Sequence, residues 1–272
     1  MTSRRLLLAI VVAAIALFGY FSRTQVNPVT GEKQHIALSV DQEKALGLQS
    51  APEMAAQMGG EVSPSDPDAQ RVAQVGRRIV ERSDASHSPY ADSFRFHLLR
   101  DPETVNAFAL PGGQIFITEG LLARLHSDAQ LAGVLGHESG HVIHRHAAEQ
   151  MAKGQLGALL GAAAGVAADD GSGQGGRTQA VAAMVNQVVQ LRYSRKDESE
   201  ADRYGVDAMA EAGYDPHAML EVLEILKNAS QGSRPPEFLS SHPLPETRIR
   251  ELEDYLKTKG APAAEPRRST GG

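Results

Sequence analysis

The chain has 272 residues, a net charge of −6, and neither Cys nor Trp. That length accommodates one large domain or two small ones. Absence of Cys excludes thiolate-ligated zinc, disulfide scaffolds and thiol nucleophiles, and the lack of a dense Lys/Arg block argues against a nucleic-acid partner.

Arg4 and Arg5 precede an uncharged apolar run from Leu6 to Phe21. A spanning helix needs about 20 apolar residues and a signal-peptide core about 7–15. The run lies between the two, and Gly19-Tyr20-Phe21-Ser22 is a poor cleavage site. Residues 1–21 are therefore expected to form an uncleaved signal anchor. The short basic N-terminus would lie inside, making a single-pass inner-membrane protein with its main domain in the periplasm. A cleaved signal peptide and a soluble periplasmic protein are the alternative. Residues 22–38, with Asn27-Pro28 and Thr30-Gly31, read as a linker, and a globular domain is expected over 39–258.

Ser39 to Gln42 matches a capping box, opening a helix to about Ala56. Asp66-Pro67 starts a second helix that aligns Val72, Val75, Ile79 and Val80. Phe94 to Leu99 alternates as a strand. Asn106 to Leu110 and Gln114 to Thr118, around Pro111-Gly112-Gly113, read as two short strands joined by a tight turn. An edge strand just before a histidine-bearing helix can wall a groove where an extended peptide adds as a further strand. An ordinary core hairpin fits the same residues.

Leu131 to Glu149 is the stretch the rest is organised around. Ser127-Asp128-Ala129-Gln130 caps it, and Leu131, Val134, Leu135, Val142 and Ile143 form an apolar stripe. Within it, His137-Glu138-Ser139-Gly140-His141 reads H-E-x-x-H. Histidines four apart share a helix face and can take adjacent corners of a tetrahedral zinc. Glu138 lies about 100° around the helix, where it can take a proton from a water that zinc activates. Gly140 costs about 1 kcal/mol in a helix interior relative to Ala, which suggests that another element packs closely there. His144 lies on nearly the same face but about 10 Å along the axis from His137, too far to share a tetrahedral zinc easily, and His146 points to the opposite side; both read as structural hydrogen bonders.

Residues 151–168 are rich in Ala, Gly and Leu, too short to span a bilayer, and read as a buried helix or a flap. The Gly-rich stretch 169–176 is a flexible loop by composition, and about 151–178 forms an insertion. A helix over 179–193 follows, with Val181, Met184, Val185, Val188 and Val189 inward. The carboxylate-rich stretch 194–205 then supplies Glu198 and Asp202, four apart on one face. One can bind metal while the other hydrogen-bonds a ligand histidine. Tyr214-Asp215-Pro216 breaks that helix, and another runs over 218–227. His242 precedes Pro243, so it lies in extended or turn backbone. From a loop it can stabilise an oxyanion or act as a fourth ligand at rest. Arg248 begins a last helix to about Leu256, and 259–272 is expected to be a disordered tail.

Taken together, these stretches resemble the zinc metalloendopeptidases related to HtpX, BepA, LoiP and the CAAX prenyl protease, a branch of the gluzincins. The likeness rests on Asn-Pro-Val-Thr-Gly at 27–31, Asn-Ala-Phe-Ala-Leu-Pro-Gly-Gly at 106–113, the H-E-x-x-H with Arg145-His146 after it, Ser-Arg-Lys-Asp-Glu-Ser-Glu-Ala-Asp at 194–202, and Ser-His-Pro-Leu-Pro-Glu-Thr-Arg at 241–248. The resemblance implies an α+β, mostly helical, zincin-like domain, with a small sheet edge lining the cleft and one apolar helix before it. It implies one zinc held by His137, His141 and Glu198, with Glu138 as general base and His242 as a further catalytic residue. Asp202 and Arg248 would support the ligands from outside. Asn106, Ala107, Phe108, Ala109 and Gly113 would line the substrate. Substrates would be unfolded or misfolded envelope proteins. A zinc-holding envelope chaperone or binding protein, its site latent, is the other class. Glu138 argues against it, because a site that only binds needs no such carboxylate.

Overall fold

A computed structural model describes residues 3–168, 192–230, 236–243 and 246–260. The Gly-rich loop at 169–176, the inward residues expected of a helix over 179–193, and the tail from 261 lie outside the described residues. The protein is mostly helical α+β, as the sequence implies.

The core is built around a helix that is buried on nearly every side, α5 (Asp128–Ile143). Ser127 caps it by accepting from the Gln130 amide at 3.1 Å, and the Gln130 side chain accepts from the His126 amide. The first satisfies an N–H group that a helix start leaves over, and the second ties the residue before the cap to the helix. Against α5 pack α3 (Pro67–Arg82), α7 (Arg195–Glu211) and α8 (Ala218–Ser230). From α3, Val72, Val75, Ile79 and Val80 enter the core as the sequence pattern predicts. Leu131, Val134, Leu135, Val142 and Ile143 of α5 meet them there.

Three strands, β3 (Arg95–Leu99), β4 (Ala107–Leu110) and β5 (Gln114–Thr118), form a sheet in the order β3-β5-β4. The expected hairpin is present: β4 pairs antiparallel with β5, Phe108 facing Phe116, while β3 runs parallel to β5. Gly112 and Gly113 turn it with φ of 81° and 104°, values that only Gly adopts easily. The edge strand β4 packs against α5.

Two differences from expectation concern the N-terminal third. Residues 22–38 read as a linker, yet they form a hairpin, β1 (Thr24–Val26) with β2 (Lys33–His35). Asn27 explains this. Its side-chain carbonyl accepts from the Val29 and Thr30 amides, and its amide donates to the Ile143 carbonyl at 2.9 Å. Gln34 donates to the His144 carbonyl at 2.6 Å. The hairpin thus supplies donors that the C-terminus of α5 needs.

The second concerns the apolar start. It does form a helix, α1 (Ser3–Ser22), but among the described residues no helix is long and apolar enough to cross a membrane, so the expected single-pass span is not found. Instead α1 lies along α6 (His146–Ala168). Ala9 and Ala16 are buried, whereas Leu7, Ile15 and Phe18 stay exposed. The remaining helices of the described chain that bear on the site are α2 (Val40–Gln57), α4 (Glu119–Leu122), the single turn α9 (Phe238–Ser241) and α10 (Glu246–Lys259).

Candidate metal centre and active site

Glu198 reaches the H-E-x-x-H because α5 and α7 cross at very small residues. A Cβ placed on Gly140 would lie 2.9 Å from the Ala201 Cα, and one on Gly205 would lie 2.9 Å from the His137 amide nitrogen. Neither distance occurs between real Cβ atoms and backbone, so only glycine permits this approach. Ser194 starts α7 with a reciprocal capping box to Asp197, which places Glu198 in the first turn, beside the histidines.

His137, His141, Glu198 and His242 converge, each buried, with one ligand atom apiece within 4.8 Å of all the others. The Nε2 atoms of His137 and His141 are 3.1 Å apart, and His242 Nδ1 is 3.3 Å from His137 Nε2. Glu198 oxygens lie 2.9 Å from His242 Nδ1, 3.5 Å from His141 Nε2 and 3.7 Å from His137 Nε2. A tetrahedral zinc with ligands at about 2.0–2.1 Å has ligand–ligand edges of about 3.3 Å. These separations scatter around that value, and the set of three imidazoles and a carboxylate is one that zinc takes. The residues present therefore fit the metal.

Asp202 and Arg248 lie where they can support this set. Asp202 Oδ1 accepts from His137 Nδ1 at 2.9 Å, which leaves Nε2 of that ring free to ligate. Arg248 grips Asp202 with Nε at 2.5 Å and Nη2 at 2.7 Å, and its Nη1 forms a buried ion pair with Glu198. Burial opposes ionisation of Glu198, but His242 and Arg248 outweigh it and hold its carboxyl well below the usual range. Burial likewise opposes charge on Asp202, and Arg248 outweighs it.

Glu138 is fully buried beside these residues, with neither carboxylate oxygen hydrogen-bonded. His242 Nε2 lies 3.6 Å from its Oε1. Burial raises its proton affinity, partly countered by His242 and His137. An unpartnered buried carboxylate costs stability.

His242 is carried by the loop after α9. Its amide donates to the Phe238 carbonyl, and its ring stacks on Phe238 at 4.3 Å. Tyr193, which the sequence analysis assigned only to a helix end, lies with its ring 4.0 Å from that of His141 and 5.0 Å from that of His242. Its position just before the Ser194 cap is the signal that could have found it. Of the residues expected to line a substrate, Ala107 and Ala109 are buried in the core and Asn106 has a buried, unpartnered Oδ1. Phe108 is half-buried and stacks on Phe116, and Gly113 packs against Phe94 at the turn.

The fold and the site define a metalloendopeptidase. The family model "Peptidase family M48" matches residues 67–256, and the chain belongs to that family. It is 33% identical over 253 residues to the mitochondrial metalloendopeptidase OMA1 of Schizosaccharomyces pombe, covering 92% of this chain and 70% of that protein. It is 28% identical over 273 residues to OMA1 of Saccharomyces cerevisiae, covering 93% and 75%. With the beta-barrel assembly-enhancing protease of Escherichia coli it shares 34% identity over 185 residues, 66% of this chain but only 37% of that protein.

Proposed function

We propose that the protein is a zinc endopeptidase in which His137, His141 and Glu198 hold the metal, Glu138 is the general base, and His242 closes the site at rest. The observation that carries this reading is the convergence of four buried ligand residues, with one atom of each within 4.8 Å of the others, beside an unpartnered buried carboxylate. Bound zinc supplies Lewis acidity, polarising a scissile carbonyl and making a water acidic enough to attack near neutral pH.

The rest of the chemistry falls to the chain's own side chains. Glu138 takes the proton of the attacking water on a carboxylate oxygen and later gives it to the leaving amine. Its free oxygens, raised proton affinity and position next to the ligand set suit both steps. Asp202 fixes the tautomer of His137, and Arg248 orients Asp202 and Glu198 together. His242 Nδ1, beside Glu198 and His137, would be the fourth ligand when the metal is bound. For substrate to enter, the His242 side chain must give up this position. The ring is then placed to donate to the developing oxyanion. A peptide strand would lie along β4 from Asn106 to Ala109.

Substrates are proposed to be unfolded or misfolded proteins of the cell envelope. Support for this comes from the export-type pattern of Arg4, Arg5 and the apolar run, and from the relatives named for mitochondrial proteolysis and beta-barrel assembly. The Glu138→Gln variant tests the assignment: it should keep its zinc and lose cleavage of an unfolded protein such as casein. Undiminished cleavage would remove Glu138 from the mechanism.

A further inference from the structure

On a continuous helix His146 would face away from His141. It does not, because α5 ends at Ile143 and the chain turns at Arg145, whose φ of 59° is left-handed. A residue with a side chain rarely adopts that conformation. Here a buried network holds it: Arg145 donates to Glu43 at 2.9 Å, to the Leu38 carbonyl at 2.9 Å and to Gln25 at 3.1 Å. The turn brings His146 back beside the metal helix, buried, with its Nδ1 2.9 Å from His141 Nδ1. Its other nitrogen, Nε2, lies 3.2 Å from Glu200 Oε2, and Glu200 Oε1 accepts from Lys196 at 3.0 Å.

The protons on this chain are determined once His141 ligates through Nε2, which rests on the metal site proposed above. His141 Nδ1 must then carry a hydrogen, and His146 Nδ1 is its acceptor. His146 is left with its proton on Nε2, donated to Glu200. The geometry points to His146 and Glu200 as positioning residues that fix the tautomer and ring orientation of the ligand His141 through an imidazole–imidazole–carboxylate relay. The two ligand histidines are thus supported differently: His137 directly by a carboxylate, His141 through a second ring.

One other arrangement uses the same residues. His144, His146 and Glu200 could themselves hold a second cation. The proton count opposes it. A cation on His146 Nε2 would put the hydrogen of that ring on Nδ1, facing a His141 Nδ1 that is already protonated at 2.9 Å.

The test is zinc affinity, measured by chelator competition on the wild type, His146→Leu, His146→Asn and Glu200→Leu, with cobalt(II) absorption spectra of each. Asn places an amide oxygen near the position of Nδ1, so it restores the acceptor. His146→Leu should bind zinc about 10–100-fold more weakly and shift the cobalt bands, as loss of such outer partners does. His146→Asn should recover most of both, and Glu200→Leu should show a smaller loss. Wild-type affinity in His146→Leu overturns the relay, as does an equal loss in the Leu and Asn variants with unchanged circular dichroism, since that would mean packing alone. If His146→Leu does not fold, wild-type affinity in Glu200→Leu overturns it. Two zinc ions per wild-type chain would favour the second-cation arrangement against it. A wild type that binds no zinc would instead overturn the metal site itself.

Discussion

Gly140→Ala adds one methyl group where α5 and α7 cross. Its Cβ would lie 2.9 Å from the Ala201 Cα and 3.0 Å from the Ala201 carbonyl oxygen, and neither backbone atom can rotate away. Ordinary contact begins near 3.4 Å, so the helices must part by about 0.5 Å or more. Such overpacking costs about 1–3 kcal/mol, offset by about 1 kcal/mol of helix propensity gained over Gly. The net stability loss is therefore small, about 0–2 kcal/mol. The metal should notice more, because ligand distances tolerate only about ±0.2 Å and Glu198 lies one turn from Ala201. Zinc affinity should fall at least about tenfold, equivalent to about 1.4 kcal/mol. Chelator competition and urea unfolding of the metal-free protein measure the two effects separately. The control is Gly157→Ala in α6, where an added Cβ meets nothing within 4 Å. That change should stabilise by up to about 1 kcal/mol and leave zinc binding alone. Wild-type zinc affinity in Gly140→Ala would refute the claim that this crossing positions the third ligand.

Arg248→Met removes the only cation bridging Asp202 and Glu198 among the contacts described for them, leaving two buried carboxylates with their histidine partners but without the guanidinium they share. The metal-free variant should lose about 3–5 kcal/mol in urea unfolding, and a loss under 1 kcal/mol would contradict the role of the pair. His144 bears on pH. Burial, reinforced by His146, depresses its pKa from 6.5 to about 4. The unfolded chain therefore binds the proton first. Stability from this group is full above about pH 6.5, falls as pH drops, and levels off below about pH 4, by up to about 3 kcal/mol. His144→Gln should flatten that part of the stability–pH curve, and an unchanged slope would contradict it.

Much of this was legible in the sequence because each signal was local. The histidine spacing, the Ser127 cap and the Pro-Gly-Gly turn all act within one element, and all three formed as expected. Gly140 was also informative: a glycine that weakens its own helix implied a close neighbour, and Ala201 is that neighbour. What was not legible depends on backbone that the sequence does not mark. No local pattern announces that Arg145 adopts positive φ, because the residues that hold it, Glu43, Gln25 and Leu38, lie more than a hundred positions away. The sequence reads as one helix through Glu149, which puts His146 on the side away from His141, and the turn at Arg145 reverses that. The hairpin at 24–35 was missed for a related reason. Its strands are three residues long, and its main purchase is Asn27 and Gln34 on the far end of α5. The apolar start carries the run length and flanking arginines of an anchor, and none of these reveals that α6 lies against it.

The most direct measurement is zinc content and peptide cleavage determined on the same preparation of wild type and Glu138→Gln. The proposed site predicts one zinc per chain in both, with cleavage in the variant reduced by about 10²–10⁴-fold, the usual contribution of a general base. Equal cleavage by the two proteins at equal zinc content would contradict it.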